Sequence, residues 1–345
     1  MNHAATASQS RLQAIVEVLG RFAFRLFIRQ GALPYLLVLA VITFTVVADN
    51  FLTADNIFNI LRQSSFLVIV ALGQMLTLLT GGFDLSVGAV IAVASVTAAL
   101  AMQWAGASLA ESALVVILVG SLMALMAGVL IGAFNGIGVS VFGVSPFIMT
   151  MGTASIGTGI ALYMSGGSPV YGLPMEFSDT LGFGRLAGIS YPVLIMACAA
   201  IVMLMVVHST RFGRYLFATG GNIKAAQLSG IGTKRSLFFA YTLCGLTAAI
   251  AGILLTARLD SGDPNIGQAF PLESIAACVI AGVSLRGGIG RVENVVMGAI
   301  LIGIFKNGMN LSGVDSYMQL VVIGILLIIA VIADQFRLKY IARAA

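Results

Sequence analysis

The sequence predicts an all-α polytopic membrane protein of about ten transmembrane helices, and three observations predict it. Hydrophobic residues make up 59% of the 345 and charged residues 9%, with a mean hydropathy of +1.05, more apolar surface than a soluble core needs. The apolar residues fall in runs near the roughly 20 residues an α-helix needs to cross the hydrocarbon. Basic residues concentrate in the loops that alternation would put on one side, as the bias of cytoplasmic loops toward Lys and Arg requires.

The ten runs are Ala32–Ala48, Ser64–Thr80, Ser86–Trp104, Ser112–Asn135, Ser145–Met164, Tyr191–Val207, Ser236–Ala257, Leu272–Leu285, Asn294–Met309 and Ser316–Ala333. They form one ten-helix transmembrane domain over 32–335, after an amphipathic N-terminus (1–31) and before a short C-terminal tail (336–345). With the N-terminus inside, Arg11, Arg21, Arg25, Arg29, five residues of the loop 208–235, Arg286, Arg291, Arg337, Lys339 and Arg343 are all cytoplasmic, fourteen of the 18 basic residues. Only Arg62, Arg185 and Arg258 fall outside, and Lys306 lies within the ninth run. Both termini are then expected in the cytoplasm, with no removable signal peptide. The net charge of +5 follows from this orientation and gives no reason to expect a nucleic-acid partner; the partner is the lipid bilayer. Cys198, Cys244 and Cys278 lie inside apolar runs without paired spacing and read as small buried hydrophobes.

Leu78-Leu79-Thr80-Gly81-Gly82-Phe83-Asp84 recurs as Leu254-Leu255-Thr256-Ala257-Arg258-Leu259-Asp260. Leu130–Gly136 is echoed by Leu301–Gly308, and Gly143-Val144-Ser145-Pro146-Phe147 by Gly313-Val314-Asp315-Ser316-Tyr317. The order and offset make runs two to five a duplicate of runs seven to ten. Because the copies start on opposite sides of the membrane, the repeat is inverted, which is a transporter architecture.

The loop 208–235 holds Arg211, Arg214, Lys224, Lys234 and Arg235 and no acid. Asn222 there can cap a short helix over Ile223–Leu228, and Gly230 can end it in the left-handed conformation. Ala225 and Ala226 would leave one face flat enough for another surface to approach. In the break after run two, Asp84 or Ser86 can cap the next helix, or the carboxylate can line a pathway, since intramembrane charge is costly unless it meets water, a partner or a helix N-terminus. Ala124, Gly128, Gly132 and Gly136 form a small-residue stripe that suits close helix packing. Asn135, with Lys306, Asn307 and Asn310 at the matching place in run nine, can bond a polyhydroxylated solute; interhelical bonding and a snorkelling lysine are the competing roles. The glycines between 182 and 188 read as turn residues. No GxxxxGK[ST] phosphate loop occurs, and ionisable groups do not cluster in the spans, so neither ATP hydrolysis nor other enzymatic chemistry is expected of the chain.

Several stretches together resemble the permease subunits of bacterial ATP-binding-cassette importers for monosaccharides, the ribose, xylose and galactose branch. They are TGGFDLSVG at Thr80–Gly88, GSPV at Gly167–Val170, TRFGRYLFATGGNIKAAQLSGI at Thr210–Ile231, CGLTAAIAGILLTARL at Cys244–Leu259, IAACVIAGVSLRGGIGR at Ile275–Arg291 and NGMNLSGVDSYMQ at Asn307–Gln319. The resemblance runs from about Phe51 to Asp334 and implies a fold similar to the cobalamin permease. It implies that Gly220, Gly221, Asn222, Ala225, Ala226, Ser229, Gly230 and Ile231 form the coupling segment on an ATPase subunit. It further implies a soluble periplasmic sugar-binding protein, a second permease subunit, an inner-membrane location, and no cofactor beyond the ATP used by the partner. The inverted repeat by itself also suits an ion-coupled secondary transporter.

Overall fold

The computed structural model describes residues 33–108 and 112–344. The expected amphipathic N-terminus lies outside the described residues. Ten apolar helices appear where ten were expected: α1 (Leu33–Val47), α2 (Ala54–Leu79), α3 (Val87–Ser108), α4 (Ala113–Ser140), α5 (Pro146–Ser165) and α6 (Tyr191–Leu204) come first. Two polar helices follow, α7 (Arg211–Gly221) and α8 (Ile223–Leu228), and then α9 (Thr233–Leu259), α10 (Phe270–Ile280), α11 (Val292–Leu311) and α12 (Ser316–Ala344). Seven are long and apolar enough to cross a membrane; α1, α10 and the apolar part of α12 are shorter. The last helix continues without a break through the expected tail.

Every residue of α2 from Ser64 to Leu79 is buried, as a helix apolar on all sides must be, and α6, α9, α10 and α11 pack around it. Leu118, Leu122 and Leu130 of α4 and Ile148, Ile156 and Ile160 of α5 point outward, which lipid tolerates and water does not. Cys244 and Cys278 are buried as expected, but Cys198 faces outward from α6. The small-residue stripe packs α4 on α9: Gly128 lies against Gly245 and Ala249, Gly132 against Tyr241 and Thr242, and Gly136 against Phe238.

Helix α2 starts ten residues before the expected run, capped by the Thr53 side chain, which accepts from Asn56 N at 3.4 Å. Asn56, Asn59, Arg62 and Gln63 lower the hydropathy of this stretch and hid it from a search for apolar runs. At the opposite end of the bundle from α7 and α8, a two-residue hairpin (Arg185–Leu186 with Ile189–Ser190) turns through Gly188 at φ 84°. Val170 and Gly262 exchange backbone hydrogen bonds at 2.9 and 2.8 Å there.

The repeat has matching local geometry. Gly143 (φ 68°) and Gly313 (φ 72°) are both left-handed, and each stands three residues before its helix, at Pro146 and Ser316. The segments that follow α2 and α9 also correspond, for both turn back into the bundle. Residues 260–269 run along α3: the Asp263 amide donates to Ser95 Oγ at 3.1 Å, Gly262 lies against Ala99, and Gly267 lies against Gly88. A methyl group on either Gly88 or Gly267 would strike the other's carbonyl oxygen. From the other end, Gly82 packs against Tyr241 and Pro146 of α9 and α5. Helix α10 has 11 residues, about 16 Å at 1.5 Å per residue, half of the ~30 Å hydrocarbon. It therefore begins inside the bundle, close to where α3 begins. Irregular backbone at such depth is tolerated only where protein encloses it.

Candidate functional site

Helix α8 forms over the expected residues with the expected ends. The Asn222 side chain accepts from Ala225 N at 3.0 Å, and Gly230 adopts φ 78°. Gly230 N donates to Gln227 O and Ile231 N to Ala226 O, both at 3.0 Å, the paired bonds that close a helix through a left-handed residue. The expected flat face is divided, however. Ala226 is 4% exposed and turned into its own chain, because positions 225 and 226 point about 100° apart on a helix. Ala225 and Ser229 are exposed, and Leu228 is 91% exposed. Ile231 is half-buried at the return toward α9.

Gly220 and Gly221 act on the permease side of this segment. A Cβ at 220 would overlap the Leu79 carbonyl oxygen and come within 2.6 Å of Gly288 N. That carbonyl already accepts from Gly288 N at 2.9 Å. Gly287 (φ 89°) sits against Gly81 N and Gly220 Cα, and Gly288 (φ 74°) against Gly221. The end of α7, the end of α2 and the loop after α10 thus meet backbone to backbone. Gly220 and Gly221 and the glycines of Thr80–Gly88 lie far apart in the sequence, and only the fold brings them together with Gly287 and Gly288.

Asp84 lies just beyond this junction and is 0% exposed. Its Oδ1 accepts from Ser86 N at 2.8 Å and from Ser86 Oγ at 2.6 Å, and Asn135 Nδ2 donates to Ser86 Oγ at 2.8 Å. The Gln74 side-chain amide is oriented to donate to Asp84 O at 3.1 Å and accept from Asp84 N at 3.0 Å. Asp84, Ser86 and Asn135 are therefore one buried cluster that shapes the turn into α3: Asp84 bonds Ser86, the residue before the helix, and not an amide of its first turn. Asp84→Asn is expected to leave the heat resistance of the solubilised protein within about 1 kcal/mol of the parent, since an amide oxygen also accepts from Ser86. Asp84→Leu strands two buried donors at about 1–3 kcal/mol each and should cut the folded yield sharply. Equal yields of the two variants, read by detergent size-exclusion chromatography after heating, would contradict this assignment.

The run-nine candidates separate. Asn307 and Asn56 bond reciprocally at 2.9 Å, and Asn310 Oδ1 accepts from Gln319 Nε2 at 2.6 Å; both asparagines tie helices together. Lys306 does not snorkel but pairs with Glu273 at 2.6 Å, on the wall of a cavity of about 290 Å³. Arg258, Gln63 and Ser64 line the same cavity. The expectation that ionisable groups do not cluster in the spans is thus corrected. Arg258, Glu273 and Lys306 sit 15 and 33 residues apart in the chain, and the turn of 260–269 into the bundle brings them to one cavity. Charge inside an apolar run is the sequence signal for such a cluster, and Glu273 carries it as Lys306 does.

Residues 56–331 match the family described as branched-chain amino acid transport system / permease component. The ribose import permease protein of Escherichia coli is 40% identical over 308 residues, covering 88% of this chain and 93% of the relative. The D-allose transport system permease protein of Escherichia coli is 36% identical over 316 residues (91% and 94%). The galactose/methyl galactoside import permease protein of the same organism is 36% identical over 338 residues (94% and 99%). No solved structure matches the chain. An all-helical membrane fold, a match that spans α2 to α12 and relatives aligned along nearly their whole length lead to one conclusion: the chain belongs to the branched-chain amino acid transport system permease family.

Proposed function

We propose that this protein is the membrane-spanning permease of an ATP-binding-cassette importer for a monosaccharide or related polyol in the bacterial inner membrane, with both termini cytoplasmic. A partner ATPase docks on α8, a loaded binding protein docks on the opposite end, and two permease subunits enclose one path. ATP is hydrolysed by the partner. The relatives named as import permeases for ribose, allose and galactose support the substrate class. They favour an importer over an ion-coupled carrier, for which the inverted repeat is the sole support.

The observation that carries the coupling role is the geometry of α8. It is a polar helix capped at both ends and outside the apolar bundle, with Leu228 almost wholly exposed, and its root is a glycine junction at the end of α2. A leucine displayed in this way has neither lipid nor core to cover it and fits a cleft on another protein. Leu228→Glu should insert and fold normally, because exposed positions tolerate change within about 0.5 kcal/mol. Burying its unpaired charge against a partner costs several kcal/mol. The expected result is at least a tenfold loss of ATP hydrolysis stimulated by the loaded binding protein, or loss of ATPase co-purification, at unchanged permease content. Parental stimulation in this variant would remove α8 from the interface.

A further inference from the structure

A cavity of about 710 Å³ lies between the turn after α6, the helix α7, the return from α8 and the start of α9. Val206, Phe212, Phe239 and Leu243 form its apolar wall, and Tyr215 and Arg235 line it as well. Phe239 and Tyr215 are exposed, so the wall is open to the surroundings of the bundle. From Leu243 to Arg235 it follows α9 for about 12 Å at 1.5 Å per residue, out of the apolar span and up to the basic loop.

The charge beside this cavity is of one sign. Lys234 and Arg235 stand in the first turn of α9, and Arg211 and Arg214 adjoin Phe212 and Tyr215 on α7; all four are exposed. Among the described residues none of the four makes an ion pair, and the loop 208–235 contains no acid. Cations in the first turn of a helix oppose its dipole, and no side chain caps α9. The bias of cytoplasmic loops explains basic residues in this loop, but not two of them at the positive end of a helix beside an apolar cavity. An anion seated there meets both cations and the uncapped first turn together.

We propose that this cavity binds an anionic diacyl phospholipid of the leaflet on the side of α7 and α8. The phosphate group meets Lys234, Arg235 and the first-turn amides of α9, and an acyl chain covers Phe212, Phe239 and Leu243. Basic pockets between transmembrane helices hold lipid headgroups in this way. A soluble anion would leave the aromatic wall bare, and a zwitterionic lipid brings a cation of its own against the four already there. The ATPase proposed to dock on α8 does not fill the cavity, because Leu243 lies about two turns beyond Ser236 along α9, inside the apolar span, where a protein from the water phase has no access.

Tryptophan quenching tests the site directly. Trp104→Phe removes the chain's one tryptophan, and Phe239→Trp then places a reporter on the cavity wall. The full-length permease is reconstituted in equal mixtures of phosphatidylcholine and phosphatidylglycerol, with bromine on the acyl chains of one lipid or the other. Brominated phosphatidylglycerol is expected to quench the reporter about fivefold more than brominated phosphatidylcholine. The paired Lys234→Gln and Arg235→Gln variant should bring that ratio to about one, because it removes the charge that selects the headgroup. Phe134→Trp in the same background, outward on α4, reads unselected lipid and should also give a ratio of about one. Equal quenching by the two lipids at position 239, the same preference at position 134, or a preference that survives loss of the two cations would each overturn the site. Quenching by neither lipid would show that protein covers the cavity and would overturn it too. Should Phe239→Trp fail to assemble, Tyr215→Trp gives the same readout from the other wall.

Discussion

Gly220→Ala is expected to abolish stimulated ATP hydrolysis in the assembled transporter while Gly221→Ala leaves it near the parental rate. A single methyl at 220 would overlap the Leu79 carbonyl oxygen and crowd Gly288 N, whereas a methyl at 221 meets nothing within 4 Å. Position 220 can be relieved only by moving α7 off the end of α2, since backbone has no rotamer to change. Overpacking of this kind costs about 1–3 kcal/mol, and separating Leu79 O from Gly288 N loses a hydrogen bond worth about 1 kcal/mol more. The sum exceeds the 1.4 kcal/mol that corresponds to a factor of ten. The displaced part is the root of α8, so with an ATPase docked there as proposed, movement at the ATPase would no longer reach α2 in the right register. ATPase stimulation and permease content, measured for the two variants side by side, check this. Equal stimulation in both would show that the glycine junction is packing without mechanical consequence.

The largest effect on folding is expected at Gly132. A Cβ there would approach Tyr241 O to 2.5 Å and Thr242 Cα to 3.0 Å, so Gly132→Leu drives four side-chain carbons into the backbone of α9. Helix association in lipid depends on close packing and not on expulsion of water, and parting α4 from α9 forfeits the Gly128, Gly132, Gly136 and Gly245 contacts together. A loss above about 4 kcal/mol should leave little folded permease in the membrane fraction. Gly152→Leu on α5, where nothing lies within 4 Å, is the control and should accumulate normally. Comparable folded yields from the two would mean that α4 and α9 repack without cost.

Parts of the candidate site were legible in advance because their determinants are local. Asn222 and Gly230 delimit α8 through bonds that span three to five residues, so residue type at that spacing was sufficient. The stripe from Ala124 to Gly136 was legible as a packing face for the same reason, since a spacing of four defines one side of a helix. The turn at Asp84 is local too, since its partner Ser86 lies only two residues away, but the bond closes the turn before α3 and does not cap the helix.

By itself the sequence determined the membrane class, the ten apolar helices, the repeat and the ends of α8, since hydropathy and capping act over one or two turns. Only the tertiary structure decided which way Ala226 points, that α2 begins at Ala54, that Gly220 meets Gly287 and Leu79, and that Glu273 pairs with Lys306. The last two depend on the segments that turn back into the bundle after α2 and α9. Polar groups such as Asn56 and Asn307, 251 residues apart, look costly in an apolar run until the chain path gives each its partner. Hydropathy counts the desolvation of every polar side chain, but the compensating hydrogen bond belongs to a pair that the fold alone brings together.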